Sequence, residues 1–261
     1  MNILVFVKQV PDTDDVKLDP KTGNLMREGV QSIMNPLDAN AVEAALQLKE
    51  QNGGTITVIS MGPPQADDVL KKALAMGCDS SVLLSDRALG GADTLATGYP
   101  LAKAAEKIGE YDLLLCGRHA TDAETAQTGP IIAAFLGIPQ VTLVSGVEID
   151  GEYAVCRRLL SDRTETVKVK MPALLTICAE TNTPRYPSPL GIMKALKKPR
   201  YVWNAEDLGC DPAIIGLPGS PSVNKRVFPP PKHNIETIYF NGAIEDAAKA
   251  IVDVFEAERL I

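Results

Sequence analysis

Aromatic residues are scarce in this sequence, at 5% of 261 residues with a single Trp. A platform for stacking single-stranded nucleic acid needs aromatics, and the net charge of −7 disfavours nucleic acid as a partner in general. Long apolar runs are missing too. Ile131–Leu136 is among the longest, far short of the roughly 20 residues that a membrane helix needs, so no membrane partner is expected. The first residues carry no basic segment and no small-residue cleavage site, so no secretory signal is expected and the cytoplasm is the expected location. Histidine is nearly absent: His119 and His233 are the only two, and a two-histidine metal site would have to span the chain. The five cysteines, Cys78, Cys116, Cys156, Cys178 and Cys210, are odd in number and scattered. Neither a disulfide framework nor a zinc or iron–sulfur site is suggested. Cys116 and Cys178 lie in apolar, strand-like runs and read as core thiols. There is no GxGxxG fingerprint, no nucleophile elbow, no Ser-His-Asp set and no carboxylate pair that stands out from the acidic background. No catalytic side chain and no metal site are expected. A binding role fits better, in which any redox chemistry belongs to a cofactor that the protein positions and tunes.

What is present is ordinary globular composition, 45% hydrophobic and 23% charged, arranged as alternating strands and helices. Ile3–Val7 is an apolar run of the kind found in strands covered on both faces. The polar, acidic segment Asp12–Gly29 reads as an excursion from the sheet. Asn35-Pro36-Leu37-Asp38 opens a helix that Asp38 or Asn40 can cap, with Val42, Ala45, Leu46 and Leu48 as its apolar stripe and Gly53-Gly54 at its end. Thr55–Met61 is a second strand, stopped by Gly62-Pro63-Pro64. A helix over 66–76 turns Val69, Leu70, Ala73, Leu74 and Met76 inward and closes at Gly77. Ser81–Leu84 is a third strand, Leu95–Ile108 a helix, Leu113–Cys116 a fourth strand and Ile131–Leu136 a helix. Short connections between these elements are the signature of an α/β fold with a doubly wound, mostly parallel, Rossmann-like sheet. Beyond residue 139 the period changes to two. Gln140–Ile149, Tyr153–Arg158 and Thr164–Lys170 alternate, with a hairpin signal at Asp150-Gly151, and Leu174–Cys178 is another buried strand. These read as an antiparallel extension of the same sheet.

The chain is organised around the crossover Gly117–Pro130, at the carboxyl end of the fourth strand, where open α/β sheets bind ligands. It carries hydroxyls at Thr121, Thr125 and Thr128, a cation at Arg118, glycines at both ends and Pro130 in the first turn of the next helix. A helix start offers unpaired N–H groups and a positive dipole end, which suit a phosphate or pyrophosphate. An ordinary strand–helix loop with a Thr cap is the other reading. Two further strand ends, Met61-Gly62 and Gly90–Thr94, carry similar small-residue loops, and their agreement favours a nucleotide site. Arg118 suits a phosphate or flavin contact, because its guanidinium is forked and permanently charged. His119 could tune a bound group or simply hold a backbone carbonyl. Asp93 and Asp122 could bind a ribose or a ring N–H, or cap a helix; for Asp93 capping is the better reading.

Residues 180–200 gather basic charge, at Arg185, Lys194, Lys197, Lys198 and Arg200, among several prolines. They read as a solvated loop or as a docking surface for an acidic partner. The proline-rich residues 211–235 look like an extended arm leading to an amphipathic helix over Ala243–Leu260, with Ala247, Ile251, Val252 and Phe255 on one side. The expected division is a nucleotide-binding α/β domain over 1–210 and an arm plus helix over 211–261, packing on a partner subunit.

Five stretches in order resemble the small (beta) subunit of electron-transfer flavoproteins: Val7–Asp12, Met34–Asp38, Ala73–Gly77, the organising loop, and Pro184-Arg185-Tyr186 with Ile192-Met193-Lys194. They span about residues 1–200. The resemblance implies an adenine nucleotide alpha hydrolase-like sheet, an alpha subunit that holds a FAD, and a second nucleotide in this chain. The nucleotide contacts it implies are Phe6, Asn35, Pro36, Leu37 and Asp38, Met61 and Gly62, and the run Gly117, Arg118, His119, Ala120, Thr121, Asp122, Thr125, Ala126, Gln127 and Thr128. It also implies a partner-recognition loop containing Arg185, Tyr186, Pro189, Leu190, Ile192, Met193 and Lys194. Housekeeping members hold AMP and share an acidic DDDCNQTGQ-type run. Here Thr125-Ala126-Gln127-Thr128-Gly129-Pro130 looks like the TAQxGP form of the electron-bifurcating branch, though Thr128 stands where many such members have Val. The stretch containing Ala92, Asp93, Thr94 and Thr97 resembles a loop near a second flavin and an NADH site. Small Ala126 and the Gly90-Gly91 turn leave room for an isoalloxazine. The expectation is therefore a FAD reduced by NADH, with electrons passing to the alpha-subunit FAD and an acyl-CoA dehydrogenase and to ferredoxin or flavodoxin. A housekeeping subunit with structural AMP and a free-standing adenylate-binding regulatory module are the alternatives.

Overall fold

The computed structural model describes residues 1–12, 32–223, 239 and 242–261. The expected excursion over Asp12–Gly29, apart from Asp12, and residues 224–235 of the expected arm, with His233, lie outside the described residues. The chain divides into two compact units, Met1–Arg226 and Val227–Ile261.

In the first unit the elements run β1 (Asn2–Phe6), β2 (Gln9–Pro11), β3 (Ser32–Met34), α1 (Pro36–Asn52), β4 (Thr55–Met61), α2 (Asp67–Met76), β5 (Ser80–Leu84), α3 (Thr94–Ile108), β6 (Leu113–Gly117), α4 (Thr128–Leu136), β7 (Gln140–Asp150), β8 (Tyr153–Leu159), β9 (Thr164–Lys170), β10 (Ala173–Ile177), α5 (Pro189–Ala195) and β11 (Arg200–Trp203). Nine strands form one sheet in the order β11-β5-β4-β1-β6-β10-β7-β8-β9, and β2 and β3 pair separately. The strands from β11 through β7 are parallel, and β8 and β9 add to β7 antiparallel. The sheet is the doubly wound, mostly parallel one expected from the sequence, but the antiparallel extension is smaller than expected: Gln140–Asp150 (β7) and Ala173–Ile177 (β10) are parallel members of the sheet, and only β8 and β9 are antiparallel. The strand order reverses at β1, which pairs β4 on one side and β6 on the other. That topological switch point opens a crevice at the carboxyl ends of β1 and β6.

Both faces of the parallel sheet are covered, as its continuous apolar runs require. Along β1, Ile3, Val5 and Val7 enter a core with Ala41, Val42 and Leu48 of α1 and Val69 and Leu70 of α2. Leu4 and Phe6 point the other way, to Leu101 and Ala104 of α3 and Ile132 and Ala133 of α4. Gly53, Gly77 and Gly137 end helices with a positive φ that a Cβ would strain. Gly151, at φ 59°, makes the β7–β8 hairpin turn.

Two further expectations are corrected. Residues 211–223 are not an extended arm at their start. Pro212–Ile214 is a turn of 3-10 helix capped by Asp211, Ile215 is buried, and Ser220 and Ser222 bond Asp93. Arg200, expected at the end of a basic loop or docking surface, instead opens an edge strand, Arg200–Trp203, paired with β5. In the second unit α6 (Ile244–Ala257) has no buried residue and carries Ile244, Ile251, Val252, Val254 and Phe255 exposed. Among the described residues no helix is long and apolar enough to cross a membrane.

Candidate functional site

The crevice is held open by the first turn of α1. Asn35 occupies the N-cap position but makes no capping bond; its fully buried amide goes instead to the organising loop. Its Nδ2 donates to the His119 carbonyl at 2.8 Å and its Oδ1 accepts from Thr121 N–H at 3.2 Å. Asp38 does not cap the helix either. One carboxylate oxygen accepts from Lys8 N–H at 2.8 Å, just past β1, and the other from Gly117 N–H at 2.9 Å, the last residue of β6. One carboxylate therefore spans the two strands that border the switch point. Burial, the largest influence, pushes the Asp38 carboxyl up to about 7, against the opposing pull of those N–H bonds, of Asn35 and of the Lys8 charge. Asn40, the other expected cap, reaches Asn182 O at 2.8 Å and pins the exit from β10.

Gly117 is required here by contact. A Cβ on it would sit 2.5 Å from Asp38 Oδ1 and 2.7 Å from the Leu37 backbone. Gly129 is similar, since its Cβ would meet Cys116 Sγ at 2.7 Å. Its absence lets the start of α4 lie on the ends of β6 and β10. Between these glycines Thr121–Gln127 are exposed, and Glu124 and Ala126 take left-handed conformations at φ 50° and 54°. For L-residues such conformations are costly and cluster at functional sites. Around them, among the described residues, the N–H groups of Thr125, Ala126, Gln127, Thr128 and Gly129 meet no protein acceptor. Alternating handedness and a helix start aim such groups as an anion-binding nest.

The remaining expected residues take a variety of places. Lys8 Nζ pairs with Asp122 at 2.7 Å, tying the loop to the end of β1; sequence reasoning missed Lys8, which lies 114 positions away. Thr94 Oγ1 donates to Gln127 at 3.0 Å and so joins the two crevice loops. Asp93 caps α3 through Leu95 and Ala96 N–H with one oxygen and binds Ser222 with the other, the capping role expected for it. Arg118 is exposed, with its side chain beside the Cys178 thiol, and its N–H continues the β10 ladder at Ile177 O. His119 and Ala120 are half-buried, and the His119 carbonyl is the group engaged. Thr128 begins α4. Pro36 sets the first turn of α1, and Met61, Gly62, Ala92 and Thr97 are half-buried. Phe6 is different, because its ring lies in the core with Ile59 and Leu114. Only its backbone borders the crevice.

At the expected recognition loop, Tyr186, Leu190, Ile192 and Met193 are exposed, and so is Lys194. Pro189 sets the first turn of α5. Arg185 is engaged within the chain, with Glu43 and Glu50 of α1.

These features define a class of protein: a doubly wound α/β chain whose switch-point crevice is lined by backbone donors and mounted on α1. A family model described as electron transfer flavoprotein domain matches residues 22–208. The chain belongs to the electron transfer flavoprotein family and is a small, beta-type subunit of it. It is 47% identical over 262 residues to the caffeyl-CoA reductase–Etf complex subunit CarD of Acetobacterium woodii, with 100% of both chains covered. It is 49% identical over 262 residues to the electron transfer flavoprotein subunit beta of Clostridium acetobutylicum, again with 100% of each covered. To the acryloyl-CoA reductase electron transfer subunit gamma of Anaerotignum propionicum it is 38% identical over 268 residues, 100% of both.

Proposed function

We propose that this chain is the small subunit of a heterodimeric electron-transfer flavoprotein and that its crevice holds a FAD reduced by NADH. The observation that carries the reading is the row of N–H groups from Thr125 to Gly129 that meet no acceptor among the described residues, with left-handed Glu124 just before it and left-handed Ala126 within it. Backbone donors in a left-handed turn leading into a helix start match a pyrophosphate better than a neutral ligand. A flavin bound there would supply the redox chemistry between NADH on one side and, on the other, the alpha-subunit FAD with an acyl-CoA dehydrogenase and ferredoxin or flavodoxin.

The chain's own residues bind and orient. The nest holds phosphate oxygens, and Arg118 adds a permanent positive charge at the crevice mouth. Asn35 and Asp38 keep the loop in its strained shape by bonding its backbone rather than the ligand. The exposed turn at Gly91 and the methyl side chain of Ala126 leave space beyond the adenylate. Likeness to subunits named for caffeyl-CoA and acryloyl-CoA reductase complexes supports an acyl-CoA-type partner.

The test is nucleotide content. The chain is co-expressed with its alpha subunit, the complex is denatured, and FAD and AMP are quantified per heterodimer. Two FAD and no AMP is the expected result. One FAD and one AMP would overturn the flavin assignment, and the site would be structural.

A further inference from the structure

The loop that leads into α5 is fastened to α1 by a cluster that neither the nucleotide site nor a partner contact accounts for. Glu43 is only 4% exposed, a rare state for a carboxylate. Its partner is Arg185, which donates from Nε and Nη2 to the two carboxylate oxygens at 2.8 Å each. The Arg185 backbone N–H adds a third bond to Glu43 at 3.1 Å. The same guanidinium reaches Glu50, two helical turns further on. Asn40, Glu43 and Glu50 recur at helical spacing and share one face, so α1 presents a polar stripe along which residues 182–185 lie. The forked, two-carboxylate geometry fixes orientation as well as distance.

Directly after the clamp the chain forms an exposed apolar ridge: Tyr186, Leu190, Ile192, Met193 and Leu196. The ridge is mounted on its other side too. A Cβ on Gly191 would lie 2.4 Å from Ala75 O, so α5 sits directly on the end of α2. Lys198 Nζ donates to Leu74 O at 2.9 Å and to Cys78 O at 2.6 Å. Five large apolar side chains on so short a segment cannot bury themselves locally, and a ridge held rigid loses less entropy on docking than a mobile loop.

We propose that Glu43, acting through Arg185, is a positioning residue that pre-forms the Tyr186–Leu196 ridge for docking, and that Arg185 is not itself a contact with the dehydrogenase. The inference rests on the proposed function, with the stretch expected as a partner-recognition loop taken as the surface that docks its acyl-CoA dehydrogenase. The same helix holds the crevice loop through Asn35 and Asp38. One rigid element therefore sets both the nucleotide loop and the docking ridge in a common frame.

The test uses the assembled heterodimer with a purified short-chain acyl-CoA dehydrogenase and its acyl-CoA substrate. Glu43→Gln keeps the shape and removes the charge. It is expected to raise KM for the heterodimer about tenfold, with kcat and nucleotide content unchanged, as for loss of one charge-assisted network in a pre-organised surface. Amide exchange at residues 185–192 is expected to quicken. Leu190→Ala, on the ridge itself, is expected to raise KM without quickening exchange. If Leu190→Ala raises KM and Glu43→Gln does not, the positioning inference is overturned. If neither raises it, the docking reading falls and the inference with it. Arg185→Lys, a change at a half-exposed side chain, repeats the test should Glu43→Gln fold poorly. There the retained charge with a lost fork is expected to give the same rise in KM.

Discussion

Asp38→Asn perturbs the carboxylate that bridges β1 and β6, and its effect should be read against pH. In the folded chain the carboxyl titrates at about 7, against an ordinary value of 3.8. Below the ordinary value both folded and unfolded chains are protonated, and the folded chain enjoys the full advantage of its buried neutral acid. As pH rises the unfolded chain releases its proton first, so stability falls until the folded group titrates near 7. The slope reaches about 1.4 kcal/mol per pH unit, and the fall between pH 5 and 8 from this one group is roughly 3 kcal/mol. An asparagine does not titrate and has one acceptor oxygen for two N–H groups. The substitution therefore adds a cost of about 1–3 kcal/mol at every pH for the donor left facing an amide. Urea unfolding of the nucleotide-free protein at pH 5, 6, 7 and 8 measures both parts. The variant should be the less stable at pH 5, and the gap should close or reverse by pH 8. Stability curves that stay parallel over that range would refute the reasoning, because the carboxyl would then not be titrating from a buried, desolvated position.

Three other positions test the crevice from different sides. Gly117→Ala drives a Cβ into Asp38 and the α1 backbone; it should cost about 2 kcal/mol and empty the site, seen as a lower Tm and lost nucleotide. Ala126→Gly should stabilise the nucleotide-free protein by about 0.5 kcal/mol, since relief of left-handed strain exceeds the entropy of the added glycine; a fall in Tm would mean that the strain is not stored there. Ala126→Trp should exclude the isoalloxazine and spare AMP, and full FAD retention would show that the space argument fails. Arg118→Ala should lower flavin content or shift its potential, and an unchanged content and spectrum would remove Arg118 from the site.

Local chemistry in the sequence determined the elements. Apolar runs such as Leu113–Leu115, bounded by turn residues, read as strands covered on both faces. The 3.6-residue stripe of Val42, Ala45, Leu46 and Leu48 can only be the inner face of a helix. Gly53, Gly77 and Gly151 mark the turns because each needs a positive φ. Alternation of strand and helix then left few topologies, and the strand-end glycines pointed to the crevice. The polar side chains were another matter. A short polar side chain early in a helix reads locally as a cap, as Asp38 and Asn40 do; the tertiary structure turns each toward a strand end or loop far away in sequence. Lys8 and Asp122, Asp93 and Ser222, and Glu43 and Arg185 are separated by more than 100 positions, and no period links them. The edge strand at Arg200–Trp203 is hard to read locally because its apolar run, Tyr201–Trp203, is short, mostly exposed and follows a basic, proline-rich stretch; β5 supplies the partner that makes it a strand. Hydrophobic period and turn chemistry act within a few residues and can be read along the chain. Which buried donor meets which acceptor depends on where the sheet order reverses and on which helix lies over the strand ends. In this protein that topology delivers the first turn of α1 to the mouth of the crevice.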